Sequence, residues 1–349
     1  MLDDILTVDW DQVRFKRALS GFAAMLMAIL FANAVGDIAL SAIMATLFVV
    51  ASGGDGKMSE RLPHMVRFTL IGAVLGGLAF GSSDSALAVA VVLGVATYAG
   101  TLAAAVDLRA ARAGLFLTLW ALMALMLGSV DTEPWRVSVA CLVGGVIAIA
   151  VTFVRLRASG TDDAEREQSE DTGPSDEADR SRLERIRVAA STPLGIFALA
   201  RTIAVVAAVV VGYWWFASYP MWVAITVVVI LQPNAHRSVS VAVQRTLGTA
   251  LGVLAAAAIA QVLPKGDTAV VVAFLVSGLL MVAFMSANYT LFAAFLTAML
   301  VFGQRLAQAD AFEAGWERLL ATAVGAAFSF VVILALGRVR PTTRQPVGG

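Results

Sequence analysis

Twelve apolar runs punctuate the chain, at about 18–35, 38–52, 66–81, 85–105, 113–128, 136–154, 196–217, 221–232, 246–263, 268–286, 289–303 and 318–337. A charged stretch divides them six and six. No other feature restricts the fold as much. A bilayer offers backbone N–H and C=O groups no water, so apolar segments of this length must pair internally as helices. Soluble domains are about half apolar and about a quarter charged; this chain is 59% hydrophobic and 14% charged, with a mean hydropathy of +0.83. The expected fold is an all-α polytopic membrane protein of about twelve transmembrane helices. Several runs fall short of the roughly 20 residues that a crossing helix needs. The run at 221–232 is the extreme case, and Gly- or Pro-interrupted short spans tend to mark binding regions in transporters.

Composition also excludes function classes. Net charge is zero and no basic domain is present, so nucleic acid is not an expected partner. Cys141 is the single cysteine, which rules out an intrachain disulfide, and two histidines leave no basis for a zinc site. With no His/Cys/Asp cluster and no nucleophile beside a base, neither an enzyme nor a cofactor is expected. The first 17 residues run from acidic to basic without a small-residue cleavage site, so they do not read as a secretory signal. Leu2, Ile5, Leu6, Trp10 and Val13 share one helical face, which fits either a short interfacial helix or a frayed tail.

Sidedness follows from the basic residues. With both termini cytoplasmic, twenty-one Lys and Arg fall inside, and only Arg136, Lys265, Arg305 and Arg318 fall in outside loops. The charged stretch at about 158–190 is too poor in large apolar residues to build a core and reads as a solvated cytoplasmic linker. It separates two expected membrane units, 18–155 and 193–338, flanked by an N-terminal segment (1–17) and a C-terminal tail (339–349). Gly72-x-x-x-Gly76 corresponds to Gly248-x-x-x-Gly252 at an offset of 176, Trp135-Arg136 through Gly144 to Trp316-Glu317-Arg318 through Gly325, and Arg155-Leu156-Arg157 to Arg338-Val339-Arg340. Six spans per unit give both the same orientation, as two parallel repeats.

The stretch Trp222–Gly252 concentrates the chemistry. Arg245, Gly248 and Gly252 fall within roughly 60° of one another on a helix, which places a fixed positive charge where another backbone can come close. The four repeat glycines are expected to serve helix packing. Trp222-x-x-x-Thr226, Gln232-Pro233 and Arg245-x-x-Gly248-Thr249-x-x-Gly252 together resemble the membrane module of the fusaric acid resistance protein-like, or aromatic acid exporter, family. The resemblance covers roughly 195–337; the first half lacks the Trp and Gln-Pro landmarks. It implies an inner-membrane permease exporting organic, often aromatic, anions, and some relatives work with a periplasmic membrane-fusion partner.

Arg245 is the leading candidate for binding an anionic substrate, although it reads as lying at the cytoplasmic end of its helix. Arg201, Arg67, Trp222, Gln232, Asn288 and Tyr289 complete the candidate set. Each has a plainer alternative: topology or headgroup contact for the arginines, an aromatic belt for Trp222 (with Tyr219), helix termination for Gln232, and a tight turn for Asn288-Tyr289. At the 176 offset Arg245 faces Thr69, so an anion site is expected to be asymmetric and to belong mainly to the second half. Besides the bilayer and an organic anion, the reading leaves room for a homo-oligomer and a periplasmic adaptor. The competing reading is a non-transporting assembly subunit whose acidic linker docks a cytosolic partner.

Overall fold

A computed structural model describes residues 7–10, 13, 18–19, 21–24, 26–28, 30, 39–53, 58–126, 133–158, 184–216, 220–262, 267–285, 287–306 and 311–339. The described part is 91% helical and contains no strand. Its helices are α1 (Ala39–Ser52), α2 (Met58–Gly81), α3 (Ala86–Leu102), α4 (Leu108–Met126), α5 (Pro134–Ala158), α6 (Pro193–Trp215), α7 (Met221–Ile230), α8 (Ala235–Val262), α9 (Asp267–Phe284), α10 (Tyr289–Leu306) and α11 (Ala311–Val339). Seven are long and apolar enough to cross a membrane, and α1, α7, α9 and α10 contribute shorter apolar helices. Helical positions recur between residues 18 and 30, where the first span is expected. The central part of the 158–190 linker, Tyr219 and the C-terminal tail beyond 339 lie outside the described residues; 184–190 is helical.

Several helices begin earlier than the apolar runs predict: α2 at Met58, α4 at Leu108, α8 at Ala235 and α11 at Ala311. Helical hydrogen bonding continues through polar turns that hydropathy alone leaves out. Arg245 therefore does not open its helix; it lies ten residues, almost three turns, inside α8. Arg318 likewise belongs to no loop. It sits within α11 and is 3% exposed.

One apolar core runs through both halves, from Ile43 and Trp120 to Trp222 and Phe302. Within the first half α1 and α2 pack on α5, and α4 packs on α2 and α3; within the second α7 and α8 pack on α11, and α10 packs on α8 and α9. Between halves α3 meets α6 and α4 meets α7. Leu70, Val74 and Leu78 of α2, and Leu247, Leu251 and Leu254 of α8, are exposed on the faces that lipid would cover. Near the N-terminus, Asn288 Nδ2 donates to the Thr7 carbonyl at 2.9 Å and Trp10 meets Phe284 edge-on at 6.3 Å. These contacts dock the start of the chain on the turn between α9 and α10.

Candidate functional site

Helix α7 is the short element at the centre of the second half. Its ten residues span about 15 Å, half of a hydrocarbon core of about 30 Å. It is apolar all round and buried at every position except Val229, as a helix enclosed by other helices should be. Such a helix must end inside protein, and its last carbonyls need donors. Leu231 N supplies Val227 O at 3.0 Å, Gln232 Nε2 supplies Val229 O at 2.8 Å, and an Arg201 terminal nitrogen supplies Val228 O. A second Arg201 nitrogen donates to Thr101 Oγ1 of α3 at 3.2 Å. Two of the sequence candidates, Arg201 and Gln232, thus close the end of α7. Pro233 follows, and Asn234 Oδ1 caps α8 by accepting from His236 N at 2.9 Å.

Arg318 and Arg245 meet different surroundings. Arg318 Nε donates to Thr297 Oγ1 at 3.3 Å, and its guanidinium lies 5.0 Å over the Trp222 ring. Stacking of this kind is worth about 0.5–2 kcal/mol. Trp222 is itself 3% exposed, so it does not stand at the membrane edge as a belt residue; Arg318 takes its face. Arg245 Nε is buried without a hydrogen-bond partner among the described residues. The Tyr289 hydroxyl lies close enough to Arg245 for a side-chain hydrogen-bonding interaction, short of full hydrogen-bond geometry, and within electrostatic reach of Arg318.

Local sequence explains the convergence. Gly248 and Gly252 share the Arg245 face, three and seven residues on, and a Cβ at either would strike a backbone carbonyl of α10, Thr290 or Ala294. Without side chains there, α10 approaches closely enough to bring Tyr289 beside Arg245. On α11, Gly325 lies seven residues beyond Arg318, and a Cβ there would come within 2.7 Å of Thr226 Cβ. That notch seats α11 on α7 and lays Arg318 on Trp222.

Arg245, Arg318 and Tyr289 line one cavity of about 230 Å³ between the halves. Its other walls are apolar: Met44 and Phe48 of α1, Phe116 and Met123 of α4, Met281 of α9 and Met299 of α10 are representative. Among the described residues no Asp or Glu lines it; Glu317, the residue before Arg318, does not. Among the described residues no carboxylate pairs with either arginine. A charge at mid-bilayer costs about 2.5–3.5 kcal/mol on insertion scales, and two like charges facing one apolar space raise each other's cost. An anion in the cavity would relieve both.

Of the sequence candidates, the cavity gathers Arg245 and Tyr289. Asn288 instead caps α10, accepting from Leu291 N at 3.0 Å, and Arg67 is exposed on α2. Arg318 is the residue that sequence reasoning missed. Its signal was present as an arginine seven residues before a glycine at the head of an apolar run, the same one-face relation that singled out Arg245.

A multi-pass helical membrane protein with an apolar cavity inside its bundle, two arginines among its lining residues, is the class that fold and site define. Residues 203–332 match the model of the family described as fusaric acid resistance protein-like, which supports the resemblance carried by Trp222, Gln232-Pro233 and Arg245 and points to a membrane transporter. No curated protein and no solved structure matches the chain.

Proposed function

We propose that the chain is a permease that moves small organic carboxylates, aromatic acids among them, out of the cytoplasm across the inner membrane. The observation that carries this reading is the pair Arg245 and Arg318 in one apolar cavity that no acid among the described residues lines. Arg245, whose Nε is unpartnered, receives the carboxylate; Arg318, held by Thr297 and Trp222, adds to the positive field; Tyr289 donates a hydrogen bond. The family match over 203–332 supports transport. The architecture in this reading is twelve spans in two parallel six-helix units, 18–155 and 193–338, with both termini cytoplasmic. In its support, α1 packs on α5 as α7 does on α11, and α2 packs on α4 as α8 does on α10.

The test is flux. Purified protein in liposomes is expected to carry an aromatic carboxylate such as benzoate, and Arg245→Ala is expected to lose most of that flux. Equal flux in both would remove Arg245 from the mechanism. Absence of flux for every anion tried would end the transport reading.

A further inference from the structure

We infer that residues 7–10 form a strap across one end of the cavity, and that its release opens the cavity to water on that side. The inference rests on the permease reading only for what the opening serves. The cavity reaches the end of the bundle where the chain turns from α9 to α10. Met285 follows α9, Tyr289 opens α10, Val50 and Ala51 lie in the last turn of α1, and all four line it. Between Met285 and Tyr289 come Ala287 and Asn288, and these hold the strap.

The hold is made at the backbone and at a ring. Asp9 N donates to the Ala287 carbonyl at 3.3 Å, and Asn288 Nδ2 donates to the Thr7 carbonyl at 2.9 Å. Trp10 meets Phe284 edge-on, and Phe284 in turn lies 5.6 Å from Phe295 of α10. Val8 and Val13 pack against the core. Asn288 has a second task, since its Oδ1 accepts from Leu291 N and caps α10. One side chain therefore joins the strap to the helix that carries Tyr289 into the cavity.

The hold is also weak enough to let go. A purely structural anchor would bury its largest apolar side chain, yet Trp10 stays 69% exposed, and Thr7 and Asp9 are exposed beside it. Hydrogen bonds at such a surface contribute modestly. A segment held this way opens locally, with the released state populated at about 1%. Losing one contact multiplies that population about ten-fold.

The experiment measures access to the cavity. Leu296 lines it about two turns deeper on α10, and Leu93 of α3 is buried outside it. Leu296→Cys and Leu93→Cys are made separately in a Cys141→Ser background, and the full-length proteins in lipid nanodiscs are labelled with a charged maleimide. Asn288→Ser keeps an oxygen for Leu291 N but is too short to reach Thr7; Trp10→Ala removes the ring contact. Each is expected to speed labelling at position 296 about ten-fold and to leave position 93 unchanged, while thermal unfolding shows a folded protein. An unchanged rate at 296 in either variant overturns the inference. So does an equal rise at 93, which would mean general loosening. In liposomes, benzoate flux is expected to rise in the same two variants with Leu296 and Leu93 in place. Faster labelling with wild-type flux overturns the strap as a gate of transport. Faster labelling with no flux in any protein, wild type included, keeps the strap and overturns the permease reading instead.

Discussion

Several helix pairings of the first half recur in the second, and different residues fill them. In the first, Thr46 of α1 donates to the Ala42 carbonyl at 2.8 Å and to the Gly144 carbonyl of α5 at 3.1 Å. In the second, Thr226 of α7 donates to the Trp222 carbonyl at 3.0 Å and fills the notch at Gly325 of α11. The glycine pairs behave likewise. Gly72 and Gly76 of α2 make room for the Trp120 indole, whose Nε1 donates to the Gly72 carbonyl at 2.8 Å. Gly248 and Gly252 of α8 make room for the backbone of α10. Matched through these contacts, Trp222, Arg245 and Arg318 stand where the first half has Ala42, Thr69 and Val137, all three buried. At the three matched positions the first half carries no charge, whereas the second places two buried cations there, and among the described residues the cavity between them draws apolar wall from both halves and its charged groups from the second.

Substitutions that treat matched positions alike can break this comparison. The largest effect should come from Arg245→Ala, with a loss of carboxylate flux of about a hundred-fold, or about 2.7 kcal/mol. Thr69→Ala at the matched position should change flux less than about two-fold in the same liposome assay. Equal losses would mean that the halves share the pathway and that the asymmetry is only decorative.

Next come the notches. Gly252→Ala drives a Cβ into the Ala294 carbonyl, which the rigid α10 backbone cannot easily yield, and should destabilise by about 2–3 kcal/mol. A Cβ at Gly72 would stand 3.3 Å from Cys141 Sγ, a side chain with freedom to turn, so Gly72→Ala should cost less than about 1 kcal/mol. Equilibrium unfolding in mixed micelles measures the difference, and a reversed order would show that α8 and α10 have slack.

Arg201→Met tests the end of α7. It leaves the Val228 carbonyl without its donor and should cost about 1–3 kcal/mol of unfolding free energy. A flux loss out of proportion to that destabilisation would return Arg201 to the substrate path. The smallest effect is expected for Trp120→Phe, which removes one buried hydrogen bond to Gly72 and should cost about 1 kcal/mol. It sharpens the comparison, because it asks how far the first half depends on its filler.

Local pattern determined much of this protein. Apolar runs and their lengths made it an all-helical membrane chain, and the spacing of Arg245, Gly248 and Gly252 put a charge on a helix-packing face. Both follow from periodicity within one segment, which sequence displays directly. The fate of each polar side chain depended on helices far along the chain. Arg201 and Gln232 proved to be donors for the end of α7, and Asn288 a cap tied to Thr7. Arg318, assigned to an outside loop by counting, entered the core because the Gly325 notch seats α11 on α7 and Trp222 offers it a ring. Hydropathy records how much it costs to bury an arginine. Only the packed helices decide what surrounds it: a carbonyl, a ring, or an apolar cavity.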